Sequence, residues 1–335
     1  MTAFDKDTTT EQVLDGVDLT GRRVVITGAA TGLGRESARA LAAHGARVTV
    51  LARSPERAAE AAAALASAVP GAEVESGVVD LADLASIRAF AQGYLVDHDA
   101  VDVLLNNAGV MACPFGRTAD GFEMQFGTNH LGHFLLTALL SPALLRGDAP
   151  RVVTLSSAGH ARSDIDLDDP NYESTDYAPW VAYGRSKTAN ALFARELATR
   201  GGPKGLLSFA VHPGGIMTDL GRHLTDELIQ EMLSFATART ASTDGAPADE
   251  DDGGGGGIGF EFKSVEAGAA TQVWAAIAPE LADHNGAYLA DCGLGVLGAN
   301  PGANGFMPWL LDDDHAAALW ARSEQLVDQP FGLSP

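Results

Sequence analysis

The chain has 335 residues, of which 46% are hydrophobic and 38 are glycine, so it can bury a large core as one or two α/β domains. Lysine and arginine total 22 against 44 acidic residues, and the net charge of −22 disfavours nucleic acid and anionic membrane surfaces as partners. The two cysteines, Cys113 and Cys292, are too few for a disulfide framework and do not have the spacing of metal ligands.

Residues 1–20 are predicted to form a polar, acidic N-terminal extension, because they contain no apolar signal region. The most apolar later stretch, residues 134–145, is interrupted by Pro142 and is too short to span a bilayer. We therefore expect a cytoplasmic protein without a membrane anchor.

Apolar, β-branched runs alternate with helical patterns along most of the chain. Predicted strands cover residues 23–27, 47–51, 73–79, 101–106, 151–156, 206–211 and 287–290. Predicted helices begin at Leu33, Pro55 and Asp83 and cover residues 123–145, 180–199, 263–279 and 313–327. This alternation predicts a single α/β domain over residues 21–335, built on a Rossmann-like, doubly wound parallel sheet with helices on both faces.

Residues 237–259 break this alternation. Four consecutive acidic residues, 249–252, are followed by five glycines, a composition that cannot bury enough apolar area to offset the entropy of ordering. Because helical patterning resumes afterwards, the segment is predicted to be a mobile surface insertion within one domain.

A glycine cluster, Gly28, Gly32 and Gly34, follows the first predicted strand and precedes a helix. Glycines at this position allow a tight turn and a close approach of the backbone to a pyrophosphate at the helix N-terminus. The sequence therefore predicts a dinucleotide site, and the spacing Gly-x-x-x-Gly-x-Gly differs from the Gly-x-Gly-x-x-Gly of two-domain dehydrogenases.

Tyr183 and Lys187 lie four residues apart in a predicted helix and therefore share one face. The ammonium of Lys187 is predicted to favour the phenolate and to lower the Tyr183 pKa below about 10, which would make the phenol a usable general acid or base. The alternative is an exposed helix on which the two residues have no chemical role.

The chain resembles the short-chain dehydrogenase/reductase family, in its single-domain form, over roughly residues 19–290. The motifs that carry the resemblance occur in the family's order: the glycine loop from Thr27 to Gly34, Asp80-Leu81, Asn106 to Gly109, Asn129, Ser156-Ser157, Tyr183 and Lys187, and Pro213-Gly214. The amino acids at residues 129–134, 185–190 and 212–214 are similar to those in the branch of retinol dehydrogenases and WW-domain oxidoreductases.

The resemblance implies a bound nicotinamide dinucleotide. The implied cofactor-binding residues are Gly28, Thr31, Gly32, Leu33, Gly34, Asp80, Leu81, Asn107, Ala108, Gly109, Tyr183, Lys187, Pro213, Gly214, Ile216 and Thr218. Asp80 would bind the adenine amino group, and Thr218 would lie near the carboxamide of the nicotinamide.

The end of the second strand predicts NADP(H) rather than NAD(H). Enzymes that prefer NAD have a carboxylate there, whereas this chain has Ala52 followed by Arg53. A guanidinium can clasp the 2′-phosphate, and Arg35 could assist. The alternative is that Arg53 is a solvated charge at a strand end.

The resemblance implies an oxidoreductase that interconverts a carbonyl compound and an alcohol. Tyr183 would transfer the proton, Ser157 would hold the oxygen, Lys187 would grip the ribose, and Asn129 would hold a water that connects Lys187 to solvent. Ser156 competes with Ser157 for its role. A lipophilic aldehyde or ketone is expected, with Met111, Tyr177, Trp180 and Met217 as candidate pocket residues. The alternative is that these residues belong to the core.

Other interpretations have less support in the sequence. His130 and His133 are spaced three apart but have no acidic or cysteine ligand beside them, so no metal is predicted. A non-catalytic dinucleotide-binding regulatory protein of the same fold remains the main alternative, and a lyase or dehalogenase is a third. A homo-oligomer is expected from the resemblance.

Overall fold

A central sheet of eight strands organises the computed structural model, which describes residues 4–243 and 262–333. The strands are β1 Arg23–Thr27, β2 Arg47–Ala52, β3 Val74–Val78, β4 Val103–Asn106, β5 Arg151–Leu155, β6 Leu207–His212, β7 Tyr288–Ala290 and β8 Gly293–Leu294. Their order is β3-β2-β1-β4-β5-β6-β7-β8, and every neighbouring pair is parallel except β7 and β8. The predicted doubly wound sheet is confirmed.

The strand order changes direction at β1, which pairs with β2 on one side and with β4 on the other. The register aligns Thr27 with Leu51 and Ile26 with Leu105, so the carboxyl ends of the three strands lie at one edge. A ligand crevice forms at such a switch point, because the chains leave the sheet in opposite directions there.

Helices cover both faces of the sheet. They are α1 Thr10–Val13, α2 Gly32–Ala43, α3 Pro55–Ala68, α4 Leu84–Asp97, α5 Met124–Phe126, α6 Gly132–Leu144, α7 Pro179–Gly201, α8 Asp226–Thr243, α9 Val265–Ile277 and α10 Asp313–Leu326. One apolar cluster joins the sheet to α2 and α9, and a second joins it to α4, α6, α7 and α10. This coverage explains why strand β5 is buried along its whole length.

The N-terminal segment packs against the core through apolar side chains, whereas the sequence predicts a polar extension. Val13, Leu14 and Leu19 are buried in the cluster with α2 and α9. The Thr10 hydroxyl donates a hydrogen bond of 2.5 Å to Glu36 on α2. A helix of one turn is too short to show a clear periodicity, so its buried face was not visible in the sequence.

The long helix predicted over residues 123–145 consists of three pieces. α5 is followed by a π-helical turn, Gly127–Leu131, and then by α6. The carboxylate of Glu123 caps α5 by accepting hydrogen bonds from the amides of Gln125 and Phe126. π-Helical turns occur frequently at functional sites, and this one contains Asn129.

The insertion predicted over residues 237–259 begins inside a helix, since α8 extends to Thr243. Residues 244–259 lie outside the described residues. Within residues 4–243 and 262–333, we find no helix long and apolar enough to cross a membrane.

Candidate active site

A cavity of about 1830 Å³ lies at the carboxyl ends of β1, β2, β4, β5 and β6. A pocket for one small ligand typically measures ~300–1,000 Å³. The volume therefore suits a dinucleotide and a second molecule together.

The glycine loop at the end of β1 forms one wall of this cavity. Gly28 and Gly32 adopt φ angles of 66° and 55°, which lie in the left-handed region that favours glycine. A Cβ atom at Gly34 would collide with the carbonyl oxygen of Gly28 and would lie 2.5 Å from Nδ2 of Asn107. The loop thus brings bare backbone to the N-terminus of α2, and this geometry fits a diphosphate.

The loop after β6 faces the glycine loop across the cavity. A Cβ atom at Gly32 would lie 3.3 Å from Cγ2 of Thr218, so the two loops nearly touch. Ile216 packs against Gly268 on α9, which anchors the loop from below. Thr218 is therefore close to the predicted diphosphate position.

Arginines line the end of the cavity beside β2, but they are not the pair that the sequence suggested. Arg53 lines the cavity, and so does Arg57 on the first turn of α3. Arg35 is exposed and does not line the cavity. Arg35 thus differs from the prediction in its placement, and Arg57 is the second arginine at this end of the cavity.

The other predicted cofactor residues all line the cavity. Two of them also hold the local backbone. A carboxylate oxygen of Asp80 accepts a hydrogen bond of 2.9 Å from the amide of Ala82. Nδ2 of Asn107 donates to the Thr27 carbonyl at 2.8 Å, so the side chain of Asn107 holds the end of β1.

Tyr183 and Lys187 lie on one face of α7, and both are buried at the cavity wall. Nζ of Lys187 lies 5.7 Å from the centre of the Tyr183 ring and donates a hydrogen bond of 2.9 Å to the Leu155 carbonyl. Nδ2 of Asn190 donates to the same carbonyl at 2.9 Å. The end of β5 therefore positions the lysine.

The pKa of Tyr183 shifts in the direction opposite to the prediction. Burial raises it to about 12, although a hydrogen bond with Ser157 offsets part of the rise. Burial also lowers the pKa of Lys187 to about 7. An ammonium that loses its proton near neutral pH provides less charge to stabilise a phenolate, so removal from water dominates at both groups.

Ser157 and Ser156 occupy different environments. The Ser156 hydroxyl donates a hydrogen bond of 2.8 Å to the Lys187 carbonyl. Ser157 accepts a bond of 3.1 Å from the Gly159 amide, and its hydroxyl is hydrogen-bonded with Tyr183. This difference favours Ser157 as the group that contacts a substrate oxygen.

Asn129 is fully buried and does not line the cavity. Its side chain clasps the backbone of Val110, with Oδ1 accepting at 2.8 Å and Nδ2 donating at 2.9 Å. Nδ2 also donates to Oγ of Ser186 on α7 at 2.9 Å. Asn129 therefore joins the turn after β4 to the helix that contains Tyr183.

Met111 and Trp180 pack with Tyr183. Of the residues predicted for a substrate pocket, Met111, Trp180 and Met217 line the cavity. Tyr177 does not, because its hydroxyl donates to the Cys113 carbonyl at 2.8 Å and accepts from Gln125 at 2.9 Å. The aromatic ring of Tyr177 suggested a place in the pocket wall. The sequence pattern does not show the partners of its hydroxyl, because they are distant along the chain.

Sequence reasoning missed Arg162, which lies in the same wall. Its guanidinium lies 4.8 Å from the Trp180 ring and 4.2 Å from the Phe235 ring, and it donates to Glu231 on α8 at 2.8 Å. These contacts join α8 to the region beside Tyr183. An arginine at residue 162 does not by itself indicate a place in the cavity wall.

No group of three potential metal ligands occurs among the residues that the structure describes. His130 and His133 point to different partners. Nε2 of His130 lies 2.8 Å from Oγ of Ser323, and His133 contacts Asn129 and Thr27.

Comparison with known proteins agrees with this geometry. The family profile described as short chain dehydrogenase matches residues 22–228. Human retinol dehydrogenase 13 is 38% identical over 307 residues, which cover 92% of this chain and 85% of that protein. Human WW domain-containing oxidoreductase is 35% identical over 336 residues, which cover 98% and 73%.

Solved structures show the same architecture. A crystal structure of a protein from Mycobacterium paratuberculosis has 36% sequence identity and a TM-score of 0.68, covering 94% of this chain and 97% of that one. The Pseudomonas aeruginosa RhlG/NADP complex has a TM-score of 0.60 at 23% identity, covering 81% and 95%, and is similar in fold.

Proposed function

Because the chain belongs to the short-chain dehydrogenase family, in the branch of the retinol dehydrogenases and WW domain-containing oxidoreductase, we propose that it is an NADP(H)-dependent carbonyl reductase or alcohol dehydrogenase. The observation that supports this most directly is the placement of Tyr183, Ser157 and Lys187 in the same cavity as the glycine loop.

The preference for NADP(H) follows from Arg53 and Arg57 at the end of the cavity beside β2. Two guanidinium groups near the first turn of α3 form a site for the 2′-phosphate, and the last residue of β2, Ala52, places no carboxylate there. The glycine loop, the turn after β4 and the loop after β6 are proposed to make the remaining contacts with the cofactor.

Tyr183 is the proton donor in the reductive direction. With a pKa raised to about 12, the phenol holds its proton at neutral pH and can deliver it to a substrate oxygen. Bound NADPH supplies the hydride for the carbonyl carbon. Ser157 donates a hydrogen bond to the same oxygen as negative charge develops on it, and the catalytic role of Lys187 is to hold the ribose.

Asn129 is proposed to support the site although it does not line the cavity. It holds the turn at Val110 against α7, and its proposed water would connect Lys187 to solvent.

The substrate is proposed to be a lipophilic aldehyde or ketone. The wall near Tyr183 is largely apolar, with Met111, Trp180, Leu224, Ile229 and Met232 among its residues. The names of two similar relatives, retinol dehydrogenases 13 and 12, support retinol and its aldehyde, retinal, as members of a substrate panel.

The test is to mix the purified protein with NADPH or NADH and a panel of aldehydes, ketones and quinones that includes retinal, and to follow the loss of nicotinamide absorbance. We expect turnover with NADPH that falls ~10²–10⁴-fold in Tyr183→Phe, while binding of NADPH is retained. Full activity in that variant would contradict the assignment of Tyr183. Tight NADPH binding without turnover on any compound would favour a non-catalytic regulatory protein.

A further inference from the structure

The imidazole of His133 lies between the catalytic and the cofactor-binding parts of the site. The residue is fully buried on the first turn of α6. Its Nδ1 atom lies 2.9 Å from the carbonyl oxygen of Asn129, and its Nε2 atom lies 2.9 Å from Oγ1 of Thr27. One ring thus contacts both the π-helical turn and the residue that precedes Gly28.

The partners of the ring determine its tautomer. A carbonyl oxygen can only accept a hydrogen bond, so Nδ1 carries the hydrogen that it shares with Asn129. Nε2 is then an acceptor, and the Thr27 hydroxyl donates to it at 2.9 Å, which is a shorter distance than the 3.3 Å to its other acceptor, the Leu105 carbonyl. The two lone pairs of that hydroxyl accept the amides of Asn107 at 2.9 Å and Ala108 at 3.0 Å.

Protonation does not disturb this arrangement in the neutral range. Burial, together with the nearby Lys187 ammonium, lowers the pKa of His133 to about 4, although the hydrogen bond with the Asn129 carbonyl opposes the shift. His130, the other titratable group nearby, also has its pKa lowered by burial, to about 3. The ring therefore remains neutral and keeps one set of hydrogen bonds.

The network continues beyond Asn129 to the catalytic helix. Nδ2 of Asn129 donates to Oγ of Ser186, and that hydroxyl donates to the Tyr183 carbonyl at 2.8 Å. A continuous series of hydrogen bonds thus runs from the turn after β4, through Thr27, His133 and Asn129, to α7.

We propose that His133 is a positioning residue that joins the cofactor loop to the catalytic helix, by fixing the Asn129 carbonyl on one side and the Thr27-Gly28 turn on the other. This inference rests on the proposed function, in which that turn holds NADP(H) and α7 presents Tyr183. His133 itself does not line the cavity, and it acts through these two neighbours.

Two amide substitutions separate the two hydrogen bonds. In His133→Asn the amide nitrogen replaces Nδ1 and keeps the bond to Asn129, whereas the bond to Thr27 is lost. In His133→Gln the longer side chain places its oxygen near the position of Nε2 and keeps the bond to Thr27, whereas the bond to Asn129 is lost. His133→Phe removes both bonds and retains a ring.

The measurements are the Kd of NADPH by fluorescence, kcat with its pH profile, and stability in urea. Loss of one hydrogen bond corresponds to ~2–10-fold. We expect His133→Asn to raise the Kd of NADPH by about that factor with kcat near the wild-type value. We expect His133→Gln to lower kcat and alter the pH profile with Kd retained, and His133→Phe to show both effects.

The proposal requires the two amide variants to affect different parameters, one the Kd of NADPH and the other kcat. If both amide variants keep Kd and kcat at wild-type values, or if each variant changes both parameters equally, His133 serves packing alone and the proposal is wrong. The values of Kd and kcat are compared after correction for the fraction of each variant that is folded, which the urea curves provide.

Thr27 provides a second measurement if a His133 variant fails to fold. Thr27→Val removes the bond to His133 together with the bonds from the Asn107 and Ala108 amides, so it should weaken NADPH binding at least as much as His133→Asn. Thr27→Ser keeps the hydroxyl and should bind NADPH like the wild type. Combining Thr27→Val with His133→Asn should weaken binding no further than Thr27→Val alone, because Thr27→Val already removes the bond to His133. Additive effects would contradict the linkage. Since NADPH binding needs no turnover, this result stands even if the proposed reaction is not found.

Discussion

Gly159 lies directly against the ring of Tyr183. A Cβ atom at residue 159 would come within 2.7 Å of the ring carbons Cδ1 and Cε1, and within 3.5 Å of Oγ of Ser157. The absence of a side chain at this position therefore sets where the phenol lies relative to the serine.

Gly159→Ala should displace the Tyr183 ring and lower kcat by ~10–100-fold, because small displacements of a catalytic group cost that much. The Kd of NADPH should change little. The matched control is Gly93→Ala in α4, where a Cβ atom meets nothing within 4 Å, and this variant should keep full activity. Unchanged turnover in Gly159→Ala would show that the ring has room to move.

Arg57→Ala should weaken NADPH binding by ~10–100-fold and leave NADH binding almost unchanged, since only NADPH has the phosphate that the guanidinium would bind. Arg53→Asp should act in the same direction. Arg35→Ala is the control, because Arg35 is exposed and does not line the cavity. Isothermal titration with both nucleotides measures these constants, and equal losses for NADPH and NADH would refute the phosphate site.

Lys187→Met should change how stability depends on pH. Burial lowers the pKa of Lys187 from 10.5 to about 7, so between these values the unfolded chain binds one more proton than the folded chain. Wild-type stability therefore rises with pH across this window, and the cost of burying the ammonium is fully present below about pH 7.

The variant should accordingly be more stable than the wild type at pH 6, by on the order of 1–3 kcal/mol, and this advantage should shrink towards pH 10. The Leu155 carbonyl keeps its bond from Asn190, so the substitution leaves no unpaired acceptor. Urea unfolding at several pH values provides the measurement. Lys204→Met, at an exposed lysine, should show no such trend.

The ion pair between Lys263 and Asp291 should stabilise the loop after β6. The Lys263 amide donates to the Gly215 carbonyl at 2.9 Å, and the aliphatic part of its side chain lies against Gly214. The side chain of Lys263 is 9% exposed and that of Asp291 is 23% exposed. Breaking the pair from either side should therefore disturb the proposed nicotinamide site.

Asp291→Ala should lower the free energy of unfolding by ~3–5 kcal/mol, because it leaves the more buried ammonium unpaired. Lys263→Met should cost less, since the remaining carboxylate is closer to water. Both should weaken NADPH binding. Asp148→Asn breaks the exposed pair with Arg22 and should cost at most ~1 kcal/mol, as measured by urea unfolding. A smaller loss in Asp291→Ala than in Lys263→Met would contradict this ranking.

Local patterns were sufficient for the strands and for most of the helices. Strands β1 and β5 are continuous apolar runs, and the structure places each within one residue of its predicted ends. The helix of Tyr183 was also predictable, because its apolar residues recur at helical intervals. The helix at residues 123–145 contains a π-helical turn that its apolar pattern does not distinguish from an α-helix.

The sequence by itself determined the order of the strands and helices, the glycine loop and the pairing of Tyr183 with Lys187, because these depend on residues that are close together in the chain. Only the tertiary structure decided that Arg57 rather than Arg35 faces the crevice, that Tyr177 lies outside it, and that His133 contacts Thr27. It also decided the pKa of Tyr183, since removal from water depends on every segment packed around the phenol. Contacts between distant residues and their burial have no counterpart in a local pattern.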